Sequence, residues 1–390
     1  MPPAPDAKGV GLLLGNSICS EDLWEFPVDD FLVLARPDVS GLYILSPSAR
    51  LIWELFKTGA PFPEVVQHFA SAYDIAGTVA EQDVSRTLDE WRSGLLAHRR
   101  LSSTWSTAPA EVPTSSGAAF FTRDYLIQGK NVRVVLETSE LVDEIAPRFE
   151  SLPHAPSAPD FTFRVVQEPD GFRVFCDGCC VGNEAGVTAA RGVLLQEIVR
   201  VCRARDCLAV FHAGACGSSS KCILFPAGTQ SGKTTLAAVL MKMGLTFYGD
   251  DSVLLERDTF SVPIMPFSLM IREGSWDVLY PRFPELRDAP IVSRYGQLIR
   301  FLSPAGMKQY GHCEEVGALV FVRYQPDAAN EIETLDLLQT LLRLQQSGFW
   351  VAHDEESIRA FLKWIQATAS FTLIYSDVDE AASIIRRFAG

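Results

Sequence analysis

The residues best suited to chemistry lie in one short run, Ala227-Gly228-Thr229-Gln230-Ser231-Gly232-Lys233-Thr234, followed by Thr235. An apolar stretch beginning at Lys221 and closing at Pro226 precedes it, and a helical stretch from Thr235 to Met243 follows. Strand, small-residue loop, lysine, hydroxyl and helix, in that order, make a phosphate-binding loop. Small residues let successive backbone N–H groups turn inward around anionic oxygens, at the positive end of a helix dipole. Lys233 can then reach the β- and γ-phosphates, and Thr234 can offer its hydroxyl to Mg²⁺. The expected ligands are therefore ATP and Mg²⁺. Two positions depart from the usual pattern: Ala227 replaces the first glycine, and Gln230 stands where another glycine is common.

Two further features bracket this loop. Downstream, Leu245 to Glu256 (LTFYGDDSVLLE) reads as one strand interrupted by Gly249-Asp250-Asp251. Two carboxylates at a strand end beside a phosphate loop offer one ligand for Mg²⁺ and one acceptor for a hydroxyl proton. Gly-Asp is also good turn chemistry, although a turn alone needs no second aspartate. Upstream, Leu208 to Ala215 (LAVFHAGA) reads as a buried strand carrying His212, one short hairpin before the loop. A histidine there can orient a neighbour or take a proton together with Asp250.

These groups need a scaffold, and 390 residues provide for two or three domains. Hydrophobic residues at 47% and charged residues at 21% are globular values. The net charge of −14 argues against nonspecific binding to nucleic acid or anionic membrane. No apolar run reaches the roughly 20 residues of a membrane span, and Met1 to Gly11 lacks the order of a signal peptide. The expectation is a cytoplasmic protein. Of nine cysteines, Cys176, Cys179 and Cys180 form a cluster resembling half a zinc site, but no second pair follows, so reduced thiols are expected.

Residues 102–118, rich in Ser, Thr, Pro and Ala, read as a linker between a unit at 1–101 and one at 119–390. In the first unit, Phe31–Ala35 and Gly41–Leu45 read as strands joined by a Pro-Asp turn. Ser46-Pro47 starts a helix with Ile52, Leu55 and Phe56 on one face, stopping at Gly59. A second helix from Pro63 carries Val65, Val66, Phe69 and Tyr73. A third, from about Glu81, carries Val84, Leu88, Trp91 and Leu95. Strands followed by three short helices make a winged-helix-like unit. The third helix is acidic (Glu81, Asp83, Asp89 and Glu90 against Arg86 and Arg92), which is poor equipment for a nucleic-acid reader.

The stretch from Trp24 to Leu96 resembles a PqqD-like domain, the recognition element that binds leader peptides of ribosomally made peptide natural products. In that family the leader adds as an extra strand. The resemblance implies an edge at Leu42, Tyr43, Ile44 and Leu45, and a wall including Val84, Leu88 and Trp91. The bland alternative is that the wall residues are only core.

From about Ala119 onward the order of His212, phosphate loop and Asp250-Asp251 resembles the HPr kinase/phosphorylase-like family, in its HPr-kinase-related branch. Ile271 to Trp276, Gly317 to Tyr324 and Tyr375-Ser376-Asp377 extend the resemblance. It implies an α+β chain in which the second unit is a mixed-sheet P-loop domain of the phosphoenolpyruvate-carboxykinase-like type. It also implies that one of Asp250 and Asp251 is the base and the other a metal ligand, with Lys233 and His212 beside them. Arg272, Arg294 and Arg300 are candidates to neutralise phosphate.

Together the two resemblances imply an ATP-dependent kinase that phosphorylates a Ser or Thr hydroxyl of a precursor peptide, such as a lasso peptide, held by its leader. Competing readings are a small-molecule kinase acting on serine or a sugar with a regulatory front unit, and a nucleotide-gated peptide-delivery scaffold. Homo-oligomerisation stays open. The Asn-Lys-x-Asp motif of GTPases and the His-Arg-Asp and Asp-Phe-Gly motifs of eukaryotic protein kinases are absent.

Overall fold

The computed structural model describes residues 23–37, 39–93, 95, 119–202, 207–218, 220–228, 230–265, 267–294, 296–304 and 313–389. The linker read at 102–118 and Thr229 of the loop lie outside them. The chain divides into two compact units: Met1–Thr104 with His353–Arg359, and Trp105–Ala352 with Ala360–Gly390. No helix among the described residues is long and apolar enough to cross a membrane.

In the first unit, β1 (Trp24–Val28), β2 (Phe31–Arg36) and β3 (Val39–Leu45) form an antiparallel sheet in that order, with β3 at one edge. Three helices follow: α1 (Pro47–Lys57), α2 (Phe62–Tyr73) and α3 (Gly77–Ser93). Ser46 caps α1, its hydroxyl accepting the Ala49 N–H at 3.3 Å, and Pro47 follows at the first helical position, where a missing N–H costs nothing. The third helix starts at Gly77, four residues earlier than its apolar rhythm suggests, because its first turn is solvent-facing apart from Ala80. β1 escaped the sequence reading, since a mid-strand proline (Pro27) obscures its pattern. Leu34, Ile52, Trp53, Val84, Leu88 and Trp91 share one core, with Trp53 and Trp91 edge to face at 5.4 Å. The side chains of Val84, Leu88 and Trp91 are thus core residues that fix α3 on the unit.

The second unit opens with β4 (Phe121–Ile127), β5 (Lys130–Leu136), α4 (Ser139–Ile145), β6 (Phe161–Glu168), β7 (Gly171–Cys176), β8 (Cys179–Glu184) and α5 (Val187–Cys202). The five strands form a sheet in chain order, parallel only between β5 and β6. A 3₁₀ turn, Ala146–Phe149, continues α4. Phe149 is fully buried, 5.2 Å from the Tyr125 ring and 5.4 Å from Phe267. Cys176, Cys179 and Cys180 are free thiols on the β7–β8 hairpin, and burial pushes the Cys176 thiol up to about 11.

Next come β9 (Cys207–Phe211), β10 (Ala213–Gly217), β11 (Cys222–Pro226), α6 (Lys233–Lys242), β12 (Thr246–Gly249), β13 (Val253–Glu256) and β14 (Ser261–Pro263). They are followed by β15 (Leu269–Arg272), α7 (Trp276–Leu279), β16 (Val292–Arg294), β17 (Gln297–Leu302) and β18 (Cys313–Tyr324). The chain ends with β19 (Glu331–Thr334), α8 (Leu337–Ser347), β20 (Phe349–Val351), α9 (Glu355–Ala367), β21 (Ala369–Tyr375) and α10 (Val378–Arg386).

The central sheet runs β12-β10-β11-β18-β21-β19, with β14 added on β18. β11, β18 and β21 are parallel, whereas β10 and β19 run antiparallel to their neighbours, so the sheet is mixed. Two smaller sheets, β13-β9-β20 and β15-β17-β16, complete the unit. α6 is apolar nearly all round, burying Leu236, Ala237, Ala238, Val239 and Leu240, as a helix enclosed on several sides must.

Leu208–Ala215, read as one strand, and Leu245–Glu256, read as a strand interrupted at Gly249-Asp250-Asp251, each form two strands. Leu208–Ala215 splits at His212, and Leu245–Glu256 splits at Asp250–Ser252. β10 and β12 pair in the central sheet, while β9 and β13 pair in another. Both breaks fall at the same level, because Ala215 lies opposite Gly249 and Phe211 opposite Val253. The two segments change sheets together, and Asp251 accommodates the change with a left-handed φ of +72°.

Candidate active site

All five residues of β11 are buried, which fixes the entry to the loop at the carboxyl end of a parallel strand. The carboxyl ends of β18 and β21 lie alongside, the side of an α/β sheet where ligand crevices form. Tyr324 at the end of β18 donates its N–H to Ser231 O at 2.9 Å, and Tyr375 at the end of β21 gives its hydroxyl to Gly232 O at 3.2 Å. The loop is therefore tied down by its neighbours as well as by its own turns.

Gly232 has φ +91°, and a Cβ there would sit 2.1 Å from the Tyr375 hydroxyl. Gly232→Ala should cost about 2 kcal/mol or more, from left-handed strain plus the clash. Thermal unfolding would register this as a lowered midpoint that ATP no longer raises. Gln230 is also left-handed, at φ +66°, which explains why a glycine is the common choice there. A glutamine in that conformation carries roughly 1–2 kcal/mol of strain, and it lines the cavity.

Lys233 is 6% exposed, and its ammonium donates to Ala227 O at 2.7 Å and Gly228 O at 2.8 Å. Burial lowers its pKa, opposed by the charges of Asp250 and Asp251. His212 Nδ1 lies 3.0 Å from Asp251 O, a carbonyl that can only accept, so Nδ1 carries the proton. In the neutral ring Nε2 is then the lone-pair nitrogen, and it lies 3.5 Å from Lys233 Nζ. His212 thus meets Asp251 and Lys233 rather than Asp250.

The two aspartates have different surroundings. Asp250 is 4% exposed, and its Oδ2 accepts the Thr234 hydroxyl at 2.8 Å. Burial, reinforced by the Asp251 charge, pushes its carboxyl up to about 6, although Arg148, the Thr234 bond and Lys233 pull the other way. Asp251 faces the open space, with its Oδ2 3.1 Å from a guanidinium nitrogen of Arg148. Arg148 escaped the sequence reading: it comes from the 3₁₀ turn about a hundred residues upstream, with no local motif to flag it.

His212, Lys233 and Asp251 border a cavity of about 410 Å³ that Tyr324, Tyr375 and Val378 also line. Gln230, Ser231, Thr234 and Thr235 of the loop and first helical turn line it too, as do Arg272, Ser275 and Val278. Thr235 and Ser275 share a 2.6 Å hydroxyl contact. Of the three candidate arginines, Arg272 borders the cavity. Arg300 is turned to Ala289 O and stacks 4.9 Å over Trp276, and the Arg294 side chain lies outside the described residues.

The donor set fits a magnesium nucleotide. Among the described residues, Ser231 Oγ and Asp250 Oδ1 are buried polar atoms with no hydrogen-bond partner. A hydroxyl donor suits a phosphate oxygen, and a carboxylate oxygen beside a threonine hydroxyl suits hydrated Mg²⁺. A Cβ at Gly228 would meet nothing within 4 Å, so the loop has room on that side. Among the described residues no three His, Cys, Asp or Glu side chains gather tightly enough for an all-protein metal cage.

Residues 32–95 match the family described as Coenzyme PQQ synthesis protein D (PqqD). The match covers β2, β3 and the three helices of the first unit, and leaves the cavity outside it. Comparison with curated proteins finds no match.

Proposed function

We propose that the chain is an ATP-dependent phosphotransferase that phosphorylates a Ser or Thr hydroxyl of a ribosomally made precursor peptide captured through its leader. The observation that carries the transfer reading is the convergence of His212, Lys233, Thr234 and Asp251 from three separate segments onto one cavity, with Asp250 accepting the Thr234 hydroxyl behind it. The peptide half rests on the PqqD match and on β3 at a sheet edge, where an extended peptide can add as a strand along Tyr43 and Ile44. Because Val84, Leu88 and Trp91 are core side chains, the β3 edge is the better candidate contact. The likeness of the second unit to HPr-kinase-related proteins rests on its residues alone.

ATP with Mg²⁺ would supply an activated phosphoryl group and the charge neutralisation that lets it transfer. On the protein side, the first turn of α6 directs N–H groups into the loop, and Lys233 brings a cation to it. Thr234 and Asp250 would hold the metal, since they already share a hydrogen bond and Asp250 has an oxygen to spare. Asp251 would accept the acceptor hydroxyl's proton, because it borders the cavity whereas Asp250 lies behind Thr234. Arg272 would add positive charge at the rim. Fusion of a peptide-capturing unit to a transfer unit raises the effective concentration of an acceptor that binds poorly alone.

The test is to incubate the full chain with ATP, Mg²⁺ and a precursor peptide encoded beside its gene, and to weigh the peptide. A gain of about 80 Da, one phosphoryl group, is expected. A peptide that binds the chain yet stays at its original mass would exclude the transfer reading.

A further inference from the structure

Arg148 is not part of the cavity lining, yet its buried side chain reaches the Asp250–Asp251 turn beside it. It is 2% exposed. One guanidinium nitrogen donates to Ser268 O, and the other reaches Asp251 Oδ2 at 3.1 Å and Asp250 O at 3.5 Å. The main chain reinforces this clamp, since Ser268 N–H donates to Arg148 O at 3.0 Å. Phe149, packed between Tyr125 and Phe267, roots the 3₁₀ turn in the core of the five-stranded layer. A rigid post thus presents a planar fork to the turn where two strands change sheets.

That turn needs holding. Asp251 is left-handed at φ +72°, a conformation that non-glycine residues keep only when their surroundings impose it. Its carbonyl is also the acceptor that fixes the His212 tautomer. We propose that Arg148 is a positioning residue: it locks the Asp250–Asp251 turn, and through the Asp251 carbonyl it holds His212 with Nδ1 protonated and Nε2 toward Lys233. The role for turnover rests on the phosphotransferase reading, whereas the lock itself does not. Lysine cannot replace it fully, because a single ammonium on a flexible stem cannot span acceptors arranged for a planar fork.

The experiment compares wild type, Arg148→Met and Arg148→Lys in the full chain. Imidazole ¹⁵N shifts of His212, assigned by difference against His212→Gln, report the tautomer directly. The expected result is an Nδ1–H signature in wild type that moves toward the Nε2–H form in Arg148→Met and partly in Arg148→Lys. With ATP, Mg²⁺ and the precursor peptide, kcat should fall by about 10-fold or more, while KM for ATP stays within about threefold because the loop is untouched. Retention of the wild-type His212 signature in Arg148→Met overturns the proposal. If that variant does not fold, retention in Arg148→Lys overturns it equally. If wild type transfers no phosphate, the tautomer comparison still decides on the lock, and the phosphotransferase reading falls separately.

Discussion

Lys233→Met is expected to abolish ATP binding at millimolar nucleotide and to lower phosphoryl transfer by roughly 10³-fold, the upper range for one lost charge-stabilising donor. The ammonium is the cation of the loop itself, held 2.7 and 2.8 Å from the Ala227 and Gly228 carbonyls. Methionine fills a similar volume but leaves those carbonyls and His212 Nε2 without their donor. The fold should survive, because a buried cation costs desolvation that the substitution removes, offsetting much of the lost hydrogen bonding. Calorimetric titration with ATP and Mg²⁺, beside a melting curve, separates the two effects. A variant that melts normally and still binds ATP with wild-type affinity would refute the assignment of the loop.

Asp250→Asn is expected to make the protein more stable and inactive. Burial raises the Asp250 carboxyl from an ordinary 3.8 to about 6. Between about pH 4 and 6 the folded state therefore holds a proton that the unfolded chain has released. Stability on this account rises as pH falls through that window, is fully gained near pH 4, and is lowest above pH 6. At neutral pH the ionised carboxylate costs up to about 3 kcal/mol, which an uncharged amide does not pay. The Thr234 hydroxyl can still donate to the amide oxygen. Melting curves from pH 4 to 8 should show Asp250→Asn above wild type at pH 7.5, with the gap closing toward pH 4. Transfer at pH 7.5 should drop by about 10²-fold or more through loss of the charge proposed to hold Mg²⁺. A lower melting midpoint at pH 7.5 together with an unchanged pH slope would count against the buried, ionised assignment.

Local signals account for much of the architecture. Ser46-Pro47 marks a helix start because a hydroxyl cap and a proline at the first helical position act within a few residues. The loop before α6 is equally local, since one short run supplies its small residues, the lysine and the threonine. Strand and helix identities in the first unit follow from short apolar rhythms, and only Pro27 hid β1. Gln230 was visible as a departure, but the left-handed backbone that makes it a costly one is a dihedral that no residue type announces.

The rest depended on contacts between segments far apart in the chain. His212 sat within an apolar run that read as one strand, and Asp250-Asp251 at an interruption within another. Whether such a run stays in one sheet is decided by its partners: β9 pairs with β13, and β10 with β12. That double break turns the His212 ring toward the Asp251 carbonyl and leaves Asp250 beneath Thr234. Which aspartate meets solvent, and which is pushed up to about 6, follows from burial and from the Asp251 charge beside it. Arg148 makes the same point most sharply, because nothing within ten residues of it suggests chemistry. The sequence by itself determined the strand, small-residue loop and helix that carry Lys233 and Thr234, the places of the two flanking motifs and the helical front unit, all read from neighbours in the chain. Only the tertiary structure decided how those motifs converge, which carboxylate takes which position and which distant arginine holds them, because those are matters of sheet pairing and burial.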